Sequence, residues 1–334
     1  MIIHFYNAGV GDCFLIDFEN DSHTKFVIDS GTKTAFQVYI RDQLIKELLT
    51  ANNYLFLTHI DDDHIGGVLF LCKHDLNTVR MFKNIYYNTF DSLKKYTPNV
   101  QDEPKIPLIS DNRNGYTSYA SGKSLEEFVK SLGVNVVSSI KSLDRISIDD
   151  IVITFLSPTA KTLNKYKSWV EQNTIAYTSV HTDYNECIID LSKKIFVEDN
   201  SPTNGSSLSM LIEYKQFKLL FLGDSIPSDI TTALKKLGYS KNKKLKVDIV
   251  KISHHGSRNN TSDELLEIIE SDKYLISTDG KKYNHPDKET LSRIIVSQNH
   301  PCFVFNNNIY QNIFSADELA SGQFDVQVGN EVKL

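Results

Sequence analysis

The sequence predicts a mixed α/β fold, and three observations lead there. Short β-rich runs and helix-spaced segments alternate along most of the 334 residues. The first strands come as a pair, joined by the tight turn Ala8-Gly9-Val10-Gly11-Asp12. Three later strands run straight into clusters of His and Asp, at His59, Asp224 and His254. A chain of this length makes one large domain or two small ones, and it can bury a full core without disulfide or metal staples. No internal repeat or low-complexity linker divides it, so residues 1–334 are read as one domain.

The elements follow in order. Residues 2–6 and 13–18 are the paired strands, and Phe26-Val27-Ile28 is a third that ends at Asp29-Ser30-Gly31. From Phe36, apolar residues at 36, 40, 44, 45, 48 and 49 have helical spacing. The buried strand Tyr54-Leu55-Phe56-Leu57 ends at Thr58-His59. Residues 75–123 are polar and read as an insertion, followed by a helix from Ser124, its N-cap, to Leu132. Strands at 134–137 and 151–156 precede a second insertion at 157–203. Runs 207–214 and 217–222 form a hairpin pair, and Pro227 opens a helix that Gly238 closes. Lys246 to Ser253 is a strand; then come helix 263–270, strand 274–278, helix 287–297, and strands near 302–305, 309–314 and 324–328.

Composition excludes several classes. With 40% hydrophobic and 23% charged residues the chain is neither disordered nor collagen-like. No run of about 18 apolar residues exists, so no spanning helix is expected. The N-terminal residues lack a signal peptide's basic start and cleavage site, which makes cytoplasm the default compartment and leaves no membrane role. The net charge of −6, from 36 basic and 42 acidic residues, counts against chain-wide binding to nucleic acid. Cys13, Cys72, Cys187 and Cys302 are far apart without a CxxC pair, and each is read as a buried thiol.

The chemistry concentrates at three strand ends. Thr58-His59-Ile60-Asp61-Asp62-Asp63-His64-Ile65-Gly66-Gly67 packs two histidines and three carboxylates into six residues. Imidazole with carboxylate suits zinc, manganese and other divalent ions of the first row. The plainer alternative is a polar loop in which Asp63 caps the following helix; crowded carboxylates, however, repel one another without a cation. Asp224 follows the strand at 217–222, where a lone aspartate is more often a helix cap. His254-His255-Gly256-Ser257 follows the strand that starts at Lys246. Strand ends gather on one edge of an α/β sheet, where ligand sites form.

The order HxDxDH, then a distant Asp, then His resembles the metallo-β-lactamase superfamily, with Asp61 where that family usually has a second histidine. The variant with Gly66-Gly67 is similar to the hydrolase domain of ComEC-type competence proteins and their stand-alone relatives. Gly9-Val10-Gly11-Asp12, Ile28-Asp29-Ser30-Gly31, Asn204-Gly205-Ser206-Ser207-Leu208, Leu222-Gly223-Asp224, Ser253-His254-His255-Gly256-Ser257 and Tyr283-Asn284-His285-Pro286 complete the resemblance, in the family's order.

The resemblance implies an αββα sandwich and two divalent metal ions, Zn or Mn. His59 and Asp61 would hold the first metal. Asp63 and His64 would hold the second with one histidine of the pair, either His254, which is nearer the strand end, or His255. Asp224 would bridge, and Asp29 would orient the His59 loop from behind. Asp63 then belongs to the catalytic set through the metal. A metal-activated water attacks, while His285 and the non-ligating histidine, read as His255, bind a phosphate oxygen or protonate a leaving group. Asn204, Ser207 and Ser257 are expected to face the substrate.

The implied activity is a two-metal phosphodiester hydrolase, with a nuclease acting on DNA or RNA first. A small-molecule phosphodiesterase or ester hydrolase is the alternative, and a metal-stabilised binding protein without turnover is a third reading. Seven lysines and one acid, Asp248, lie between Lys235 and Lys251, a possible landing place for phosphates or else a solvated helix end. Tyr86-Tyr87 and Tyr116 to Tyr119 can stack bases or pack a lid; His4, His23, His74, His181 and His300 receive no role.

Overall fold

The computed structural model describes residues 1–95, 114–172 and 182–334. The central parts of both expected insertions, 96–113 and 173–181 with His181, lie outside the described residues. In chain order the strands are β1 (Ile2–Phe5), β2 (Phe14–Asp17), β3 (Thr24–Ile28), β4 (Asn52–Phe56), β5 (Phe82–Tyr86), β6 (Asn135–Val137), β7 (Arg145–Ile148), β8 (Ile151–Ser157), β9 (Ser209–Tyr214), β10 (Phe217–Phe221), β11 (Leu245–Lys246), β12 (Ile249–Lys251), β13 (Ile269–Glu270), β14 (Lys273–Ile276), β15 (Cys302–Phe305), β16 (Asp325–Val328) and β17 (Glu331–Lys333). One sheet has the order β17-β1-β2-β3-β4-β5-β6 and the other β16-β15-β14-β12-β10-β9-β8-β7; β11 and β13 pair separately.

Period-2 patterning makes the layers. Phe14, Ile16, Ile28 and Phe56 of the first sheet meet Phe155, Met210, Ile212, Leu219 and Phe221 of the second in a central apolar layer. Their chain neighbours Leu15, Val27, Leu55 and Leu57 face outward under the helices Arg41–Leu48, Asp62–His74, Asn114–Leu132 and Ala160–Gln172. Leu211, Leu220 and Leu222 do the same on the far side, under Pro227–Lys236, Asp263–Ile268 and Lys288–Ser297. Alternate residues of each strand thus fill two different cores, and three apolar layers separate four layers of secondary structure. This is the αββα sandwich.

Parallel pairing sets where the loops emerge. β3, β4, β5 and β6 run parallel, as do β10, β12, β14, β15 and β16. The C-terminal ends of β3, β4, β10 and β12 therefore deliver Asp29, His59, Asp224 and His254 to one edge.

Several sequence expectations are corrected. Within 75–123, Phe82–Tyr86 is an interior strand of the first sheet, because Phe82, Ile85 and Tyr86 are buried among strand residues. Ser124 is not an N-cap: its helix is Asn114–Leu132. The region near 309–314 is the short helix Tyr310–Ile313, not a strand. Asp63 does not cap the helix after His59. That helix is Asp62–His74, its N-cap Asp61 makes no side-chain cap bond, and Asp63 sits in its first turn. Cys13 and Cys72 are buried, but Cys187 is exposed. Tyr86 and Tyr87 are core residues, and Tyr119 stacks on Phe90, 5.2 Å between ring centres. The side chain of Tyr116 lies outside the described residues. Among the described residues, no helix is long and apolar enough to cross a membrane.

Gly66-Gly67 has a packing reason. A Cβ on Gly67 would stand 2.4 Å from the Ser30 carbonyl oxygen and 2.4 Å from the Phe36 ring. The missing side chain lets the helix Asp62–His74 lie directly on the loop after β3, with Gly67 N–H donating to Gly31 at 3.2 Å. Gly67→Ala is expected to lower stability by about 2 kcal/mol through overpacking against backbone. Urea unfolding measures it; wild-type stability contradicts the close approach.

Candidate metal centre

Each loop at this edge is locally determined. Asp61 has φ −68 and ψ 144, the extended geometry of an N-cap, and its carboxylate stays free of the helix backbone. Asp62 and Asp63 occupy the first turn, where the helix dipole favours negative charge. After β12, His254 and His255 have φ of 47° and 53°, both left-handed, and Gly256 follows at 90°. Consecutive left-handed residues other than glycine are strained, and such strain clusters at functional sites. The turn is held by His254 N–H donating to the Gly223 carbonyl at 2.9 Å and by Ser253 Oγ donating to the Ser225 carbonyl at 2.7 Å.

Four imidazoles converge on one carboxylate oxygen. Nε2 of His64, His254, His59 and His255 lie 3.5, 3.7, 3.8 and 3.8 Å from Asp224 Oδ2. Asp61 Oδ2 is 3.5 Å from His59 Nε2, on one side. Asp63 Oδ2 is 3.7 Å from His255 Nε2, on the other. Both members of the His254-His255 pair therefore point into the centre, which the sequence alone left open.

The outer ring nitrogens are already engaged. Asp29, fully buried with φ 58°, meets His64 Nδ1 at 2.8 Å and accepts from Thr58 N and Thr58 Oγ1, each at 2.8 Å. His59 Nδ1 is 3.0 Å from Thr58 Oγ1, and His255 Nδ1 is 2.9 Å from the Ser277 carbonyl. Such outer contacts fix ring orientation and leave Nε2 facing inward. His59 Nε2, His64 Nε2, His255 Nε2, Asp61 Oδ1 and Asp224 Oδ1 are buried with no hydrogen-bond partner. Buried polar atoms are rarely left so. A cluster of unpartnered nitrogen and carboxylate donors is the chemistry of a divalent transition-metal site, and these residues fit one.

The electrostatics agree. Burial alone would raise the Asp224 carboxyl, but His64, His254 and His255 outweigh it and hold it well below the ordinary carboxylate range. Burial would lower His64, yet Asp224 and Asp29 hold it well above the usual imidazole value. His254 is raised against its burial by Asp224 and Asp199. Asp61 is lowered against burial by His59. The carboxylates draw positive charge to this point.

Asp12 was read only as part of a turn, and it belongs to the centre's support. Donor atoms of Asp12, His64, Asp224 and His255 all lie within 4.8 Å of one another. Asp12 pairs with Lys251, however, and its Oδ1 is 3.3 Å from the outer nitrogen of His255. Its charge is neutralised from behind, so we assign it to orienting His255 rather than to ligation. Lys251 is 1% exposed and donates to the Gly223 carbonyl at 3.1 Å. The sequence signal was present: a lysine inside an apolar strand needs a buried acid.

Other expected site residues separate. Asn204 Nδ2 donates to Asp199 at 2.7 Å and is 3.3 Å from His254 Nδ1. Asn260, which sequence reasoning missed, meets His254 Nδ1 at 2.9 Å. Ser257 lines the cavity in front of the centre, as do Asn204 and His285. Ser207 does not face substrate: it is fully buried, and its Oγ accepts the Asp224 N–H at 3.0 Å. The His285 ring centre is 5.3 Å from that of His254, and burial, then His254 and His255, push its pKa well below the usual value.

The cavity has a volume of about 620 Å³. Its cationic lining is Lys33, Lys73, Lys282 and Arg258. None of the lysines from 235 to 251 lines it, which corrects the expected landing place. Lys235 pairs with Glu264, and Lys241 and Lys246 lie 2.6 and 2.8 Å from Glu267 and Glu270.

Residues 6–154 match the family described as Metallo-beta-lactamase superfamily. Over these residues, a little under half of the chain, the sequence is similar to that family. The chain is structurally similar to Zn(2+)-bound PqqB from Methylobacterium extorquens, with 12% identity, all of both chains covered (100% and 100%) and a TM-score of 0.46. It is also similar to YhfI, a metallo-beta-lactamase fold protein from Bacillus subtilis, at 9% identity, 100% of each chain and a TM-score of 0.41. Human tRNase Z, short form, aligns at 10% identity over 100% of this chain and 99% of that one, with a TM-score of 0.40. No curated protein matches the sequence.

Lys251→Met leaves the Asp12 carboxylate buried without its cation. It is expected to cost about 3 kcal/mol of stability, measured by chemical unfolding, and to weaken divalent-metal binding at the centre. Unchanged stability would show that Asp12 is neutralised in another way.

Proposed function

We propose that the chain is a two-metal hydrolase of phosphodiesters, with nucleic acid, DNA or RNA, as the first substrate class. The observation that carries this reading is the set of four Nε2 atoms within 3.8 Å of Asp224 Oδ2, with Asp224 and His254 themselves lining the cavity. In this reading His59, Asp61 and His254 would hold one divalent metal, Zn or Mn, and Asp63, His64 and His255 the other, with Asp224 available to both. His255 would then be a ligand beside His254 rather than a free acid. The likeness to ComEC-type hydrolase domains belongs to this proposal as well.

When bound, the metals supply an activated water at neutral pH and polarise the phosphoryl oxygen. The chain's own residues do the rest. Asp29 and Thr58 fix the His59 and His64 rings. Ser257, Asn204 and Arg258 line the cavity where the phosphodiester would lie. His285, at the cavity wall beside His254, is placed to donate a hydrogen bond to a phosphate oxygen or to the leaving oxygen. Lys282 stands over Tyr283, 4.7 Å from the ring centre, and offers charge at the rim.

The cavity volume and the pairing of Lys235, Lys241 and Lys246 with glutamates favour a second reading, a small-molecule phosphodiesterase. One panel decides between them. Protein loaded with Zn or Mn is assayed on single-stranded DNA, duplex DNA, RNA and bis-p-nitrophenyl phosphate. Turnover of polymer with a steep salt dependence supports the nuclease; turnover of the small ester alone supports the second reading; none, with metal bound, removes both.

Elemental analysis of chelator-free protein is expected to give about two metals per chain. Asp63→Ala and Asp224→Ala are expected to remain folded and lose more than about 100-fold in kcat, because ligand and charge template go together. Wild-type turnover in either, at unchanged metal content, contradicts the assignment. Replacing Lys241, Lys243 and Lys244 by Ala is expected to leave kinetics and salt slope unchanged, whereas Lys282→Ala flattens the slope. The reverse result returns the basic stretch to the substrate path.

A further inference from the structure

Asp183 and Tyr184 lie about a hundred residues before the His285 loop in sequence and directly against it in space. The helix Lys288–Ser297 begins after Asp287, an N-cap residue whose side chain makes no cap bond. An N-cap aspartate ordinarily accepts a hydrogen bond from the first turn. Here the Asp287 carboxylate is turned away. Its Oδ2 accepts the Arg258 N–H at 2.8 Å and lies 3.6 Å from His285 Nδ1.

Asp183 fills the capping role from a distant part of the chain. Its Oδ1 accepts the Lys288 N–H at 2.9 Å and its Oδ2 the Glu289 N–H at 2.8 Å, and it is 2% exposed. The next residue holds the other side of the loop. Tyr184 Oη donates to the Asn284 carbonyl at 2.6 Å. Asn284 directly precedes His285 and has φ 55°, in the left-handed region. Lys288 Nζ donates back to the Tyr184 carbonyl at 3.1 Å. One dipeptide thus clamps the backbone on both flanks of His285 and frees Asp287 to face the imidazole.

We propose that Asp183 and Tyr184 are positioning residues for His285. They act through the loop 284–287 and touch neither the metal ligands nor the substrate cavity. The kinetic part of this proposal rests on the hydrolase reading; the geometric part does not. Displacing a catalytic group by about an ångström can remove two orders of magnitude in rate, so a loosened loop should be visible in kcat.

The test is Tyr184→Phe in wild-type and His285→Ala backgrounds, with metal content and thermal midpoint measured for all. The expected result is a kcat about 10-fold lower at unchanged KM and metal content, with no further loss when His285 is already absent. The same fractional loss in both backgrounds would show a general structural role and overturn the proposal, as would wild-type kcat. Asp183→Asn, which keeps the side-chain shape while removing the charge, is run alongside and is expected to act in the same direction. It carries the comparison if the phenylalanine variant fails to fold. A substrate-free arm uses the His285 imidazole resonances in a long-range 1H–15N spectrum, identified by their absence in His285→Ala. Shifted or broadened resonances in either variant support positioning even if no phosphodiester is cleaved; unmoved resonances overturn it.

Discussion

The edge of this molecule is organised around the charge on Asp224. Its carboxylate is 3% exposed and shares a small volume with Asp61 and Asp63, while Asp29 and Asp12 sit just behind. At an effective dielectric near 20, two like charges 4 Å apart repel by about 4 kcal/mol. Packing alone does not offset several such pairs in a domain that is stable by about 10 kcal/mol. Positive charge must therefore be supplied locally, and the chain supplies groups that can carry or coordinate it: four imidazoles in front and one ammonium behind. The strained His254-His255 turn is intelligible on these terms, since it brings two adjacent rings to the same oxygen at 3.7 and 3.8 Å.

The fold is what makes that convergence repeatable. Asp29 and the His59 run emerge from one sheet, Asp224 and the histidine pair from the other. The apolar layer between the sheets fixes the distance between these two halves. The T-shaped contact of Phe14 with Phe221, 5.2 Å between centres, lies in that layer, at the end of β10 nearest the site. Side chains in close-packed cores transmit small changes in volume, so the position of Asp224 relative to His59 is a property of the central core as much as of the loops.

Much of this was legible in the residues. The three His and Asp clusters announced themselves because each followed an apolar run, and the period-2 alternation of strands such as Leu219 to Leu222 is the pattern that separates two cores. What could not be read is equally physical. His254 and His255 are chemically identical, and only the left-handed turn lets both reach inward. Ser207 carries the same hydroxyl as Ser257, but one is spent on the Asp224 N–H while the other faces the cavity. Phe82–Tyr86 was hidden in a polar stretch because only part of the strand is apolar. The region near 309–314 resembled a strand because its apolar residues come in a short run, a length at which period cannot separate helix from strand.

The lysines make the same point in terms of charge. Lys235, Lys241, Lys246 and Lys251 read as one basic stretch leading to the centre, and burial divides them. Three are exposed and pair with glutamates in helix Asp263–Ile268 and strand β13, interactions worth little in water. Lys251 is in the core, where a cation is stable only against a buried anion. Through Asp12 it faces the outer nitrogen of His255, and through the Gly223 carbonyl it holds the turn that presents Asp224. A fixed cation behind the ligands and exchangeable cations in front of them do different work. The first sets the geometry into which the second must fit, and a proton or metal ion arriving at Nε2 meets rings whose far sides are already committed.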